Sequence, residues 1–370
     1  MILISLLFYT LIVVVCIQVA YYISFLLSFA LKQPVLLPKK NISISIIICA
    51  KNEAENLKKN IPLVLEQDYP LFEVVLVNDS SSDDSLEVMK EFAELHSNIK
   101  LVDVKTIETF WGNKKYALTL GIKASKNDFL VFTDADCKPI SKQWLAHISN
   151  NFSNEKSIVL GYGAYNKHPF SFLNKLIRFE TVMTALQYFS YANLGLPYMG
   201  VGRNMAYRKE LFFNNSGFNN HMKLKSGDDD LFINEVASKT NTAICYNEES
   251  FTISEPKTSF RSWILQKRRH ISTAKFYKPL HQLLLGLFYF TQFLFWVLSI
   301  ILIVLGYPWI WLAIPVAFRF IIQFICFGLT AKKLNEVDLI ILTPLLEFFL
   351  ILTQLSIFIA NLISKPKHWK

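Results

Sequence analysis

Residues 1–31 carry no charged side chain, and apolar runs such as Leu6-Leu7-Phe8 and Ile12-Val13-Val14-Val15 leave no polar face. A stretch of that length predicts a helix able to cross a bilayer with tilt. A cleaved leader fits less well. No basic residue precedes the run, which exceeds the ~7–15 apolar residues of a signal peptide. Three further apolar stretches, at about 281–305, 309–329 and 339–363, fill the C-terminal third. The second holds Arg319 and Gln323, the third Pro344 and Glu347. Ionisable groups at such depth face protein or water, so one of these segments can be re-entrant or interfacial instead of spanning.

Between the apolar ends the period changes. Residues 41–50 alternate and then turn wholly apolar, as a central strand does. An amphipathic helix is expected over 53–66, with Asn52 placed to cap it, then a strand over 72–77 that ends in Asn78-Asp79. A polar loop at 80–84, a helix at 85–95, a strand at 99–104, a helix at 114–124 and a strand at 128–133 follow. Alternation of this kind predicts an α/β fold with a doubly wound, mainly parallel sheet. The expected domains are a membrane helix at 1–31, an α/β domain at 40–275, and a membrane region at 280–364 with two or three helices. Pro169–Leu196, rich in Phe, Leu and Tyr, can pack in the core or rest on a membrane surface.

Charge adds orientation. The net charge is +9, and hydrophobic residues make up 52% of the chain. Basic residues flank the apolar segments: Lys32, Lys39 and Lys40; Lys267, Arg268, Arg269, Lys275 and Lys278; Lys332 and Lys333; Lys365, Lys367 and Lys370. This places the α/β domain on the cytoplasmic face of a plasma or inner membrane, with the bilayer as partner. No nucleic-acid module accompanies the positive charge, so no nucleic-acid partner is expected. Three C-terminal crossings would put the basic tail outside, against the same rule. Either one segment does not cross or the rule fails at the tail. The five cysteines, Cys16, Cys49, Cys137, Cys245 and Cys326, form no metal-type pair and imply no disulfide framework, which suits a reducing compartment.

Candidate chemistry lies at the strand ends. Ligands of open parallel sheets bind outside the carboxyl ends of the strands, where Asp79 and the Asp134/Asp136 pair share one rim. Two carboxylates one residue apart suit a hard divalent cation, Mg²⁺ or Mn²⁺, carrying a substrate diphosphate. Asp79 can accept hydrogen bonds from a base or ribose, or cap its own loop. Lys114 and Lys115 open a helix and can meet a phosphate or simply be solvated. Gly227-Asp228-Asp229-Asp230 starts another helix, with more acids than a cap requires; one of them can deprotonate a hydroxyl nucleophile. Gln266-Lys267-Arg268-Arg269-His270 is a positive flank in which an arginine can clamp a diphosphate. No Gly-rich dinucleotide or P-loop motif follows the first strand.

In order and spacing, Ala50-Lys51-Asn52-Glu53, Val77-Asn78-Asp79, the Lys114/Lys115 helix, Asp134-Ala135-Asp136, Gly227-Asp228-Asp229 and Gln266-x-x-Arg269 resemble the GT-A domain of family 2 inverting glycosyltransferases, membrane-anchored synthases included. The likeness covers residues 43–275. It implies a UDP- or GDP-sugar donor held by Asp79, Lys115, Asp134, Asp136, Gln266 and Arg269, with Asp134 and Asp136 as metal ligands. It makes Asp229 the base, with Asp228 beside it and Asp230 a further acid in the same run, and gives Arg269 a catalytic part. Gly200-Val201-Gly202-Arg203-Asn204 resembles the acceptor-side loop, which assigns Gly202, Arg203 and His270 to the acceptor side. His270 stands where the processive members carry tryptophan. The implied function is inverting transfer to a lipid-linked or glycan hydroxyl in envelope glycan or glycolipid synthesis. A processive polysaccharide synthase and a non-catalytic nucleotide-binding membrane protein are the alternatives.

Overall fold

The computed structural model describes residues 2–35, 37–105, 114–224 and 226–363, so the basic tail at Lys365, Lys367 and Lys370 lies outside the described residues. Helix α1 (Ile2–Phe25) is apolar all round and runs into a π-helical turn at Leu26–Ala30. The alternation follows: β1 (Ile44–Ala50), α2 (Ala54–Leu65), β2 (Phe72–Asp79), α3 (Ser85–Leu95), β3 (Ile99–Val104), α4 (Lys114–Ala124) and β4 (Phe129–Asp134). Shorter elements come next: β5 (Cys137–Pro139), α5 (Trp144–Asn150), β6 (Ile158–Leu160), β7 (Gly163–Tyr165), α6 (Phe172–Asn193), β8 (Met205–Arg208), α7 (Lys209–Asn214), α8 (Asp230–Val236), β9 (Thr242–Ile244), β10 (Thr252–Ser254) and α9 (Phe260–Ile271). Three long helices end the chain: α10 (Pro279–Val304), α11 (Trp309–Lys333) and α12 (Thr343–Ile363).

Seven strands form one sheet in the order β3-β2-β1-β4-β8-β6-β9. Pairing is parallel except at β8, which runs antiparallel to both neighbours, β4 and β6. A small sheet, β5-β10-β7, sits beside the end of β4. Strand alternation fills two cores. Ile46, Ile48, Val74, Leu76 and Val131 pack on one face, and Ile47, Val75, Val77 and Phe132 on the other. Helix α4 lies close on the second face, since a Cβ added at Gly121 would stand 2.7 Å from Val77 Cγ2.

One local expectation changes. Asn52 is not a helix cap; it takes φ +56° and its Oδ1 accepts from the Ser82 N–H at 2.8 Å, tying the loop after β1 to the loop after β2. The Glu53 and Ala54 amides find Ser85 Oγ and the Asp83 carboxylate instead, at 2.8 and 3.2 Å. Of the two readings of Pro169–Leu196, core packing holds. Helix α6 buries Phe179, Val182, Leu186 and Phe189, and its Phe189 and Tyr191 rings pack on Phe29 and Phe25 at the end of the first long helix.

Among the described residues, four helices are long and apolar enough to cross a membrane: Ile2–Ala30, Pro279–Val304, Trp309–Lys333 and Val337–Ile363. Helices α1, α10 and α11 pack together, with Gln18 Nε2 donating to Phe288 O and Thr291 Oγ1 at 3.0 and 2.6 Å. The polar residues flagged in the apolar stretches meet in one buried cluster. Arg319 Nη1 donates to Glu347 Oε2 at 2.7 Å, while Gln292 and Gln323 donate to Glu347 Oε1 at 2.8 and 3.0 Å. The last segment behaves differently from the others, because both of its ends are tied to the α/β domain. Arg178 on α6 holds Glu336 and Asp338, and Arg268 on α9 donates to Asn361 Oδ1 and Ala360 O at 2.9 and 3.0 Å.

Candidate active site

The rim is built by register. Cys49 of β1 is level with Val77 of β2 and Asp134 of β4, so Asp79 and Asp134 emerge on the same rim from the strand ends on either side of β1. Asp79 is buried there; burial raises its pKa, and Lys51 partly offsets the rise. Asp136, one residue beyond β4, is raised first by burial and then by Asp134 and Glu53. The Asp134 and Asp136 carboxylate oxygens and the Cys137 thiol cluster within 4.8 Å of one another. The two carboxylates are the hard oxygen ligands that Mg²⁺ or Mn²⁺ takes; the thiol is spent donating to Asp136 Oδ1 at 3.4 Å.

Lys114 and Lys115 part company. Lys114 Nζ lies 2.6 Å from Asp134 Oδ1 and 3.2 Å from Asp228 Oδ2, bridging the two acidic clusters. Burial alone would lower its pKa, but Asp134 and Asp228 hold it well above the ordinary lysine range. Lys115, the expected donor ligand, turns the other way and is absent from the cavity wall. It is buried, and its Nζ donates to the carbonyls of His221, Leu224 and Ser226 at 2.7, 3.2 and 2.7 Å. The reason is helical phase: Lys115 shares the buried face of α4 with Leu118 and Ile122. Burial lowers its pKa to about 8. It anchors the loop that leads into Asp228 and does not face a ligand.

The three consecutive acids also divide. Asp228 is buried against Lys114; burial raises its pKa, yet the lysine brings it net below the usual carboxylate range. Asp230 is buried and accepts from Thr273 Oγ1 and from Tyr277 OH at 2.7 Å, which fastens α8 to the segment between α9 and α10. Asp229 is left facing the cavity at the start of α8. Its Oδ1 accepts from the Asp230 N–H and its Oδ2 from the Gly202 N–H, both at 2.8 Å. Burial, then Asp228 and Asp230, push its pKa up to about 7. Gly227 enters this turn at φ +99°, backbone that a side chain disfavours.

The acceptor-side candidates are near but not equivalent. Gly202 orients Asp229 through its amide. Arg203 gives its donors to the Gly163 and Ala164 carbonyls and Ser254 Oγ at 2.8, 3.1 and 2.9 Å, with the guanidinium 4.1 Å over the Tyr165 ring. It braces β7 against β10 as well as lining the cavity, a structural task the sequence did not suggest. Gln266, Arg269 and His270 line the same wall from α9. Burial lowers the Arg269 pKa against the pull of Asp228 and Asp134. Lys267 turns away from the acids to pair with Glu180 of α6 at 2.5 Å.

One cavity of about 990 Å³ joins Asp79, Asp134, Asp136, Asp229, Arg269 and His270. It also takes walls from α6 and, missed by the sequence reading, from α10 and α12. Only the polar side chains inside apolar stretches, Glu347 among them, carried a signal for those.

A mainly parallel sheet whose strand ends carry these acids beside a cavity defines a GT-A domain. Residues 45–213 match the family model of glycosyl transferase family 2, and the chain carries a family 2 glycosyltransferase domain. Glycosyltransferase AglE of Haloferax volcanii is 35% identical over 104 residues, 28% of this chain and 33% of that protein. Poly-beta-1,6-N-acetyl-D-glucosamine synthase of Staphylococcus epidermidis is 33% identical over 93 residues, 25% of this chain and 21% of its own length. The matches thus span a third or less of these relatives. Among solved structures, the mannosyltransferase PcManGT from Pyrobaculum calidifontis, in complex with GDP-Man and Mn²⁺, superposes with TM-score 0.56 at 16% identity, over 91% of this chain and 99% of that one. At that identity the likeness establishes the fold.

Proposed function

We propose that the protein transfers a sugar from a nucleotide-sugar to an acceptor hydroxyl, with inversion, on the cytoplasmic face of the membrane. The observation that carries this is the convergence of Asp79, Asp134, Asp136, Asp229 and Arg269 on one cavity wall. Asp79 receives the nucleoside. Asp134 and Asp136 would hold Mg²⁺ or Mn²⁺, which supplies charge neutralisation for the departing diphosphate. The carboxylate pair fits such an ion, and Lys114 already sets a cation beside Asp134. Asp229 takes the proton from the acceptor hydroxyl, whose oxygen bonds to the anomeric carbon as the bond to phosphate breaks. Arg269 meets the developing charge of the nucleoside diphosphate.

Asp229 is suited to the proton step by its environment. Two backbone amides fix its carboxylate, and a pKa of about 7 lets it hold the proton once taken. Asp228 is committed to Lys114 and Asp230 to Thr273 and Tyr277, which leaves one acid of the three for chemistry. His270 in place of tryptophan favours single transfer over processive synthesis. In the Asp229→Asn variant, transfer should fall by about 10²-fold or more, the range of a lost general base, while nucleotide affinity stays near that of the unmodified protein. Normal turnover in that variant would sink the assignment.

A further inference from the structure

The cavity does not stop at the carboxylates. Beyond Asp229 and Arg269 it passes between α6 and α9 and follows the seam between α10 and α12. Its walls there are Leu285, Gly286 and Phe288 from α10, and Leu350, Ile351 and Phe358 from α12. Leu350, Gln354 and Phe358 recur at helical spacing, so one face of α12 lines the seam along its length. At Gly286 there is open space where a side chain would stand. Two apolar lining residues mark a mouth on the outer surface: Leu265 of α9 is 53% exposed and Phe358 of α12 is 55% exposed.

Such a groove selects by chemistry. A glycan would lose most of its hydration against these mainly apolar walls, where Gln282, Tyr289 and Gln354 offer few hydrogen bonds in return. The polar groups at the deep end do not ask for a polar guest, because Glu347 is satisfied by Arg319, Gln292 and Gln323. A hydrocarbon chain loses nothing there. The helices that form the seam are long and apolar enough to sit in a bilayer, so the seam lies where a lipid chain can reach it. Because the segment Val337–Ile363, which contains α12, is tied at both ends to the α/β domain, it forms a wall joined to the site instead of an independent span.

We propose that the acceptor is a membrane lipid whose chain lies in the α10–α12 seam and whose hydroxyl-bearing head group reaches Asp229. This rests on the transferase reading above. In the step itself the head-group O–H gives its proton to Asp229, its oxygen bonds to the anomeric carbon, and the nucleoside diphosphate leaves with the electron pair of the broken C–O bond.

The test uses the full chain in lipid vesicles with a diazirine-bearing long-chain alcohol as probe. Photolabelling should map to the α10 and α12 peptides of the seam. In Gly286→Trp it should fall by about tenfold, a loss of one decade in affinity. The ratio of transfer to a lipid extract over transfer to a chainless glycoside should fall with it. If Gly286→Trp loses nucleotide binding, Leu265→Glu at the exposed mouth provides the same comparison. Labelling confined to the outer helix faces, or labelling and ratio unchanged in a nucleotide-binding variant, would overturn the proposal. Labelling requires no donor, so the seam is tested even where no nucleotide-sugar is turned over, an outcome that would count against the transferase reading alone.

Discussion

Adjacent acids in this chain do different work because each meets a different neighbour. Asp228 meets a lysine, Asp230 two hydroxyls, and Asp229 two backbone amides at the edge of a cavity. The raised pKa of Asp229 has a kinetic consequence. Below about pH 7 its carboxyl holds a proton and cannot act as base, so kcat/KM should rise with pH through about 7 and then level. A pH profile of the unmodified enzyme checks this; a profile flat between about pH 5 and about pH 9 would contradict it. Lys115 carries a second residue-scale expectation. Lys115→Met would strand three carbonyls, and should lower stability by about 1–3 kcal/mol in thermal or denaturant unfolding. The strand-end acids Asp79 and Asp134 were legible in the sequence because an apolar run ending in carboxylates announces a sheet rim. The choice between Lys114 and Lys115 was not: it depends on the phase of an eleven-residue helix against the sheet, which only packing fixes.

At the scale of elements, the regular alternation in residues 44–134 was readable almost to the residue, since period and punctuation agree along it. Beyond β4 the strands are short, β5, β6, β7, β9 and β10 having three residues each, and no periodic signal survives that length. The reversed strand β8 belongs to this region, and so does the small sheet that carries the chain past Asp136. Helix α4 is sensitive to a single change. Gly121→Val puts a branched side chain where Val77 stands 2.7 Å away, so overpacking of about 1–3 kcal/mol is expected, with Lys114 displaced from Asp134. Unfolding midpoints and nucleotide affinity should fall together. Helix α12 depends on its buried charge. Glu347→Ala leaves Arg319 unpaired and should destabilise the protein by about 3–5 kcal/mol.

For the molecule as a whole, the unresolved conflict between three apolar C-terminal stretches and a basic tail has a structural counterpart. Length and composition make Val337–Ile363 equal to the other long helices, yet its two ends are fastened to α6 and α9 of the same domain. Hydropathy could not reveal this, because a segment packed along its own domain can be as apolar as one that crosses. Leu362→Cys and Lys239→Cys, each in a Cys16→Ser background, should therefore react with an impermeant thiol reagent from the same face of sealed vesicles. Val304→Cys, at the far end of α10, should react from the other. Labelling of Leu362→Cys from the Val304 face would contradict this topology.

The central claim is that the acids on the sheet rim transfer a sugar from a nucleotide donor. The most direct measurement is nucleotide release by the detergent-solubilised protein across UDP-, GDP- and CDP-sugars, with Mn²⁺, Mg²⁺ or a chelator and a membrane-lipid extract as acceptor. The Asp134→Ala/Asp136→Ala variant is assayed alongside. Release from one donor, dependent on divalent cation and lost in the variant, is the expected result. Release that persists in the chelator and in the variant, or no release from any donor, would contradict the account.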